Sequence, residues 1–288
     1  MNNQRRGCFI VFEGLDASGK STQVRELELK LQKMKYDPTT TREPTKKSVI
    51  GSLIERILYN HTVVPDEVLA LLFAADRTNH TINTIIPALE KGLIVISDRY
   101  LYSSLAYQSR GMKKSLEIDW IRSINQAAIE PDMVIFLDVT PKEAMVRLQK
   151  GQKRVQDHNF FENVEVQTKI RDAYYDIFNF HQLDNNIQNI QDSKKLRFRD
   201  DSVQIYAMQN MDILRIDAKL SIKQIREIIG EHVSKLLKKK NIKRKQNNKK
   251  NNGNLNAFFT VSENSETSEK KKEKTELNVF QMAQDSNF

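Results

Sequence analysis

Near the start of the chain the run Gly14-Leu15-Asp16-Ala17-Ser18-Gly19-Lys20-Ser21, followed by Thr22, has the residue types and spacing of a phosphate cradle. Glycines let the backbone wrap closely around an anion. Successive N–H groups and the positive end of the helix that follows then hold phosphate oxygens. In such a loop Lys20 reaches the outer phosphates of a nucleoside triphosphate and the Ser21 hydroxyl holds Mg²⁺. The chemistry on offer is phosphoryl transfer or hydrolysis, and the loop alone does not say which.

A second group of residues suits a second ligand. Asp98-Arg99-Tyr100 follows the apolar run Leu93–Ser97, at the carboxyl edge of a sheet, where open α/β folds bind ligands. Phe73 and Arg77 are four apart in a helical stretch and share one face. A ring and a guanidinium so placed can stack on a base and bond its edge. Tyr107 and Gln108, one or two helical turns beyond Arg99, can floor the same pocket. No N-K-x-D guanine-reading motif follows any later strand, the core is short, and a basic segment between Arg147 and Arg154 can close as a lid. These features favour a nucleoside-monophosphate kinase over a GTPase or a motor.

Short apolar runs must position these groups. Cys8–Glu13, Leu93–Ser97, Met133–Asp138 and Asp212–Asp217 read as strands. Helical periods predict helices over Lys20–Lys35, Ser48–Tyr59, Asp66–Leu89, Leu116–Ala128, Lys142–Gln149, Val164–Phe180 and Ile222–Leu237. Strands alternating with helices predict an α/β domain over residues 1–237, a three-layer P-loop NTPase fold with a parallel sheet and helices on both faces. Residues 183–209, polar and rich in Asn, Gln and Asp, read as a surface insertion. Residues 238–288 read as a disordered tail, basic and then Asn-rich.

Charge follows the same division. The chain of 288 residues carries a formal net charge of +9. Residues 238–288 hold 12 Lys/Arg against 6 Asp/Glu, and the preceding 237 hold 34 against 31. A high pI is therefore poor evidence that the folded body binds nucleic acid. The single cysteine, Cys8, excludes an internal disulfide framework and suits a reducing compartment. No run approaches 18 apolar residues, so no membrane span is expected. Met1 to Gly7 is short and polar for a leader, and the expectation is a soluble protein of the cytoplasm or nucleus.

Six motifs, in order, carry a resemblance to the thymidylate kinases over residues 8–237 apart from the insertion. They are FEGLDASGKST (Phe12–Thr22), TREPT (Thr41–Thr45), LLFAADR (Leu71–Arg77), SDRYLYSSLAYQ (Ser97–Gln108), FLDVTP (Phe136–Pro141) and FENVEVQTKIRDAYY (Phe161–Tyr175). The resemblance implies that γ-phosphoryl of ATP passes to dTMP, giving dTDP for dTTP biosynthesis, with Mg²⁺ and in a homodimer packed through helices such as Ser48–Tyr59. It makes Asp16 a neighbour of the sugar 3′-hydroxyl and of the metal, Phe73 the thymine-stacking ring and Arg77 the reader of O4. Arg99 and Arg42 become holders of the acceptor phosphate, and Asp98 stands near the metal. Tyr107 lies beneath the sugar and disfavours a 2′-hydroxyl, while Ser103, Ser104 and Gln108 line the base pocket. Many eukaryotic members carry a basic residue within the phosphate loop, where this chain has Ala17 and Ser18; the resemblance then implies a transition-state cation in the lid, with Arg147, Lys150, Lys153 and Arg154 as candidates among which the sequence does not decide.

An acceptor phosphate that is already a dianion needs no general base, so such a site works by alignment and charge neutralisation. Two other readings stay open: a kinase of another pyrimidine monophosphate, or an idle nucleotide-binding protein acting through its tail. In that tail Leu255, Phe258 and Phe259 have the spacing of a one-turn plug that resembles a sliding-clamp-binding peptide, with Asn252 where that peptide usually has Gln.

Overall fold

The computed structural model describes residues 7–60, 62–112, 114–151, 163–180, 202–208 and 211–245. Lys153 and Arg154, residues 183–201 and 209, and the tail with Leu255, Phe258 and Phe259 lie outside them. Six strands form one sheet in the order β2-β3-β1-β4-β6-β5. These are β1 (Cys8–Glu13), β2 (Pro38–Arg42), β3 (Ile94–Asp98), β4 (Met133–Asp138), β5 (Val203–Met208) and β6 (Met211–Asp217). All neighbours pair in parallel except β5, which runs antiparallel to β6 at the edge.

Every residue of β1 and β4 is buried, which is why both read as unbroken apolar runs: helices cover both faces of a parallel sheet. The chain leaves the end of every strand but β5 for a helix. These are α1 (Lys20–Lys33), α2 (Val49–Tyr59), α3 (Asp66–His80), α4 (Ile86–Glu90), α5 (Leu101–Ala106), α6 (Ile118–Ile124), α7 (Pro141–Gly151), α8 (Val164–Ile177) and α9 (Ile222–Lys239). Helix α1 packs along α9, and α5 packs along α8. Ser48 caps α2 by accepting from Gly51 N at 2.8 Å, and Ser221 with Gln224 forms a capping box on α9.

Several boundaries differ from the sequence reading. The helix expected over Asp66–Leu89 is broken at Thr81–Ile85 by one wide π turn, just before Pro87, whose ring nitrogen cannot donate to the preceding turn. The helix expected over Leu116–Ala128 shortens to Ile118–Ile124, because the Asn125 side chain bonds back to Ile121 O at 2.8 Å. Two edge strands were not expected. β2, Pro-Thr-Thr-Thr-Arg, has no fully buried residue, and its proline sits at the first position, where an edge strand tolerates it. β5 occupies Val203–Met208, so the segment read as an insertion over 183–209 ends in a strand of the sheet. The compact body also continues beyond residue 237: α9 runs to Lys239, Ile242 is buried, and Lys245 N bonds Lys35 O at 2.7 Å.

Candidate active site

The loop between β1 and α1 requires its glycines. Gly14 has φ 140°, and a Cβ there would lie 2.6 Å from Leu137 O, while Gly19 has φ 100°. Leu15 is buried beneath the loop, and Ser18 is buried with no hydrogen-bond partner for its hydroxyl among the described residues. Lys20 curls back into the loop, its Nζ donating to Gly14 O at 3.0 Å and Leu15 O at 2.6 Å. Burial and the nearby Arg99 charge push Lys20 down to about 8, against the pull of Asp16, Asp98 and Glu13.

The strand ends bring the second group of residues alongside. Register places Phe12 and Arg42 on either side of Asp98. The Ser21 hydroxyl donates to Asp98. Arg99, at φ 70°, is held in the left-handed region by its own N–H bond to Phe12 O at 2.9 Å and by the Ser97 hydroxyl on its carbonyl at 2.7 Å. Its guanidinium pairs with Asp16, bonds Ser103 Oγ at 3.0 Å and lies 5.0 Å above the Tyr107 ring. Partial burial opposes ionisation of Asp16, yet Arg99, Lys20 and the Tyr107 hydroxyl at 3.1 Å outweigh it and hold its pKa below the ordinary carboxylate value. Asp16 is thus turned to Arg99 and Tyr107, and the oxygen pair brought together beside the loop is Ser21 with Asp98.

Beneath them lies a carboxylate the sequence reading passed over. Glu13 closes β1 fully buried. It accepts from Tyr100 N at 3.0 Å, Ser103 N at 3.1 Å, Ser103 Oγ at 2.6 Å and Tyr174 Oη at 2.8 Å. Burial pushes its pKa up, and these hydrogen bonds with the Arg99 charge oppose that rise. Glu13 therefore caps the first turn of α5 from another strand, and Ser103 relays it to Arg99. The one sequence signal was its type: a carboxylate ending an otherwise apolar strand demands partners.

The remaining expected residues fall in two places. Arg77 is fully buried; it bonds Glu43 at 2.8 Å, Tyr100 O at 3.1 Å and Ser104 Oγ at 2.8 Å, and also Asn125. Phe73, one turn earlier on α3, is half-buried against the apolar cluster of Ile54, Ile57, Leu69 and Met112. Gln108 Nε2 reaches Ser104 Oγ at 3.3 Å. Arg42 is about half exposed and its nearest acid is Glu55 at 3.9 Å. Arg147, a lid candidate, is committed to Glu143 at 2.9 Å and Ala218 O at 2.8 Å, whereas Lys150 ends α7 exposed.

Motifs far apart in sequence meet beside this site. Asp138 accepts from Arg171 at 2.8 and 3.1 Å, from Tyr175 Oη at 2.6 Å and from Arg215 at 3.0 and 3.1 Å, tying β4, α8 and β6 together. Burial opposes ionisation there too, and the two arginines with Tyr175 hold the pKa below its usual range.

A glycine-lysine loop between a buried parallel strand and its helix, faced by an arginine and an aspartate at the end of the adjacent strand, defines a P-loop nucleotide-binding α/β protein. The family model described as Thymidylate kinase matches residues 12–200. The "Probable thymidylate kinase" of Thermococcus onnurineus (strain NA1) is 41% identical over 174 residues, covering 58% of this chain and 82% of that protein. The thymidylate kinase of Geobacillus sp. (strain WCH70) is 39% identical over 177 residues, covering 60% and 83%. The chain belongs to the thymidylate kinase family.

Proposed function

We propose that this protein transfers the γ-phosphoryl group of ATP to dTMP, forming dTDP. The observation that carries the reading is the joining of two sites at one sheet edge. The phosphate loop carries Lys20 and Asp16, and Arg99, the residue facing the acceptor, pairs directly with Asp16, while Ser21 bonds Asp98. In the transfer both cations take up the charge that spreads over the moving phosphoryl group. Lys20 leaves the carbonyls of Gly14 and Leu15 for the donor phosphates, and Arg99 exchanges part of its contact with Asp16 for the acceptor phosphate, with Arg42 beside it. Tyr107, bonded to Asp16, holds the sugar end of the acceptor. Phe73 stacks on thymine, Arg77 and Ser104 face its polar edge, and Gln108 lies next to them. Arg77 is rigid for this task because four partners fix it.

Ser21 and Asp98 fit Mg²⁺: a hydroxyl and a carboxylate are hard oxygen donors, and Mg²⁺ takes few protein ligands beside phosphate oxygens and water. When bound, the metal neutralises charge on the donor phosphates. Lys153 and Arg154 are proposed as the lid cations. We also propose a homodimer through α2 and α3, which expose Val49, Tyr59, Val68 and Leu71.

Lys20→Ala and Arg99→Ala test the assignment. Each should lower kcat on dTMP about a hundred- to thousandfold, roughly 3–4 kcal/mol, because each removes a preorganised charge from the transferred phosphoryl. Tm should stay within a few degrees. Either variant with near-normal turnover would remove that residue from the reaction.

A further inference from the structure

We infer that the amino edge of the sheet, at the far end of the strands from the phosphate loop, is a docking surface for the phosphodiester backbone of a nucleic acid. Both α1 and α9 end there in the same way. After α1, Lys35 takes φ 64°, with Lys35 N bonded to Gln32 O at 2.9 Å and Tyr36 N to Leu31 O at 3.0 Å. After α9, Asn241 takes φ 54°, with Asn241 N bonded to Lys238 O at 3.1 Å and Ile242 N to Leu237 O at 3.0 Å. These are paired left-handed helix stops.

Residues 240–245 then cross beneath the edge as a strap. It is pinned at one end by the Lys240 pair with Asp132, just before β4. At the other it is pinned by Lys245 Nζ on Asp37 at 2.8 Å, just before β2. Between these pins Arg244 lies 5.6 Å over the Tyr36 ring, and Ile242 and Tyr36 turn inward, each 8% exposed. These contacts set which side of the strap faces outward.

That face carries lysines that no ion pair of the described residues occupies. Besides the pinned Lys240, Arg244 and Lys245 it presents Lys33, Lys35, Lys238, Lys239 and Lys243, all exposed and none with an acidic partner among the described residues. Asp37 and Asp132, the acids of the strap's own contacts, are already taken. Two helix carboxyl ends attract cations, but they amount together to only about one negative charge. Five lysines are thus left with no acid at ion-pair distance among the described residues, with Glu90 and Glu130 the other exposed acids near this edge, and such a cluster attracts anions. Five lysines and no exposed aromatic suit a polyanion held by its phosphates, without reading of bases. The apolar residues that the strap does own, Tyr36 and Ile242, point away from solvent, so nothing on it is shaped to enter a lipid interface.

The test is fluorescence anisotropy with the full chain and a labelled mixed-sequence oligonucleotide of about 30 nucleotides, single-stranded or duplex, between about 50 and 300 mM salt. The comparison is a variant with Lys33, Lys35, Lys238, Lys239 and Lys243 all changed to Ala. Wild type should bind below about 100 μM at low salt, and the plot of log affinity against log salt should be shallower in the variant by about 3 to 5 units. Its Tm and dTMP kinetics should be unchanged, since the altered residues lie a strand's length, about 20 Å, from the loop. The basic residues after 245 are common to both proteins, so their share cancels in the difference. If the alanine set does not fold, Gln at the same five positions keeps the apolar stems. No binding at about 100 μM in low salt would overturn the inference, as would equal salt slopes. So would loss of binding to phosphatidylserine vesicles in a variant that still binds the oligonucleotide normally.

Discussion

Arg99 stands at the centre of the site in a backbone conformation that costs a non-glycine residue on the order of 1 kcal/mol or more. What holds it is a chain of contacts that begins one strand away. Glu13 fixes the first turn of α5 through two backbone N–H groups and fixes Ser103 through its hydroxyl, and Ser103 meets the guanidinium. Glu13→Gln replaces one accepting oxygen by an amide that must donate, so two of the four bonds lose their acceptor. About 1.5–3 kcal/mol attaches to hydrogen bonds of this charged kind, or ten- to a hundredfold in rate. The expected result is a fall in kcat/KM for dTMP of that size with KM for ATP changed little. A purely structural role for Glu13 would lower Tm and leave that split absent; dTMP kinetics within twofold of wild type would end the positioning account. The turn of the phosphate loop and the helix that carries Phe73 and Arg77 were legible because each is a local pattern of spacing. Glu13 was not, since its partners come from 87 to 161 residues away and no local pattern announces them.

At the scale of elements, the carboxyl edge is kept together by charge as well as by packing. Asp138 joins β4 to α8 and β6, and Arg171 and Arg215 both depend on it. Asp138→Asn should destabilise by on the order of 2–3 kcal/mol, because two arginines lose their counter-charge. Its folded pKa is depressed, so the stability it contributes is present above the unfolded carboxyl value, about 3.9, and is lost as pH falls through the lower folded value. Thermal denaturation at several pH values should therefore show a Tm gap between wild type and variant that is constant near neutrality and closes below about pH 4. A gap that persists unchanged at pH 3 would show that packing, and not charge, ties these elements. Of the strands that the sequence revealed, β1, β3 and β4 are buried as apolar runs, and β6 buries Met211, Ile213, Leu214 and Ile216 between partly buried polar residues. β2 and β5 lie at the two edges, where one neighbour suffices and polar residues are tolerated, so neither hydrophobic run nor strict alternation marked them.

At the scale of the whole molecule, the sheet separates two ends of different character. Its carboxyl edge gathers the phosphate loop, Arg99 and the Asp138 cluster, and its amino edge carries the lysine-rich strap. The sequence showed the basic composition from residue 238 onward but gave no sign that 240–245 belongs to the folded body, because its anchors, Asp37, Tyr36 and Asp132, are remote in the chain. Within the described residues no helix is long and apolar enough to cross a membrane. This edge-bound site uses dTMP as phosphoryl acceptor. Coupled ADP release, measured with ATP and Mg²⁺ against dTMP, dUMP, UMP, CMP and AMP in turn, addresses it most directly. The kcat/KM for dTMP should exceed that for UMP, CMP and AMP at least about tenfold, a difference of about 1.4 kcal/mol in transition-state binding. Equal or greater activity on UMP, CMP or AMP, or no phosphorylation of dTMP, would contradict it.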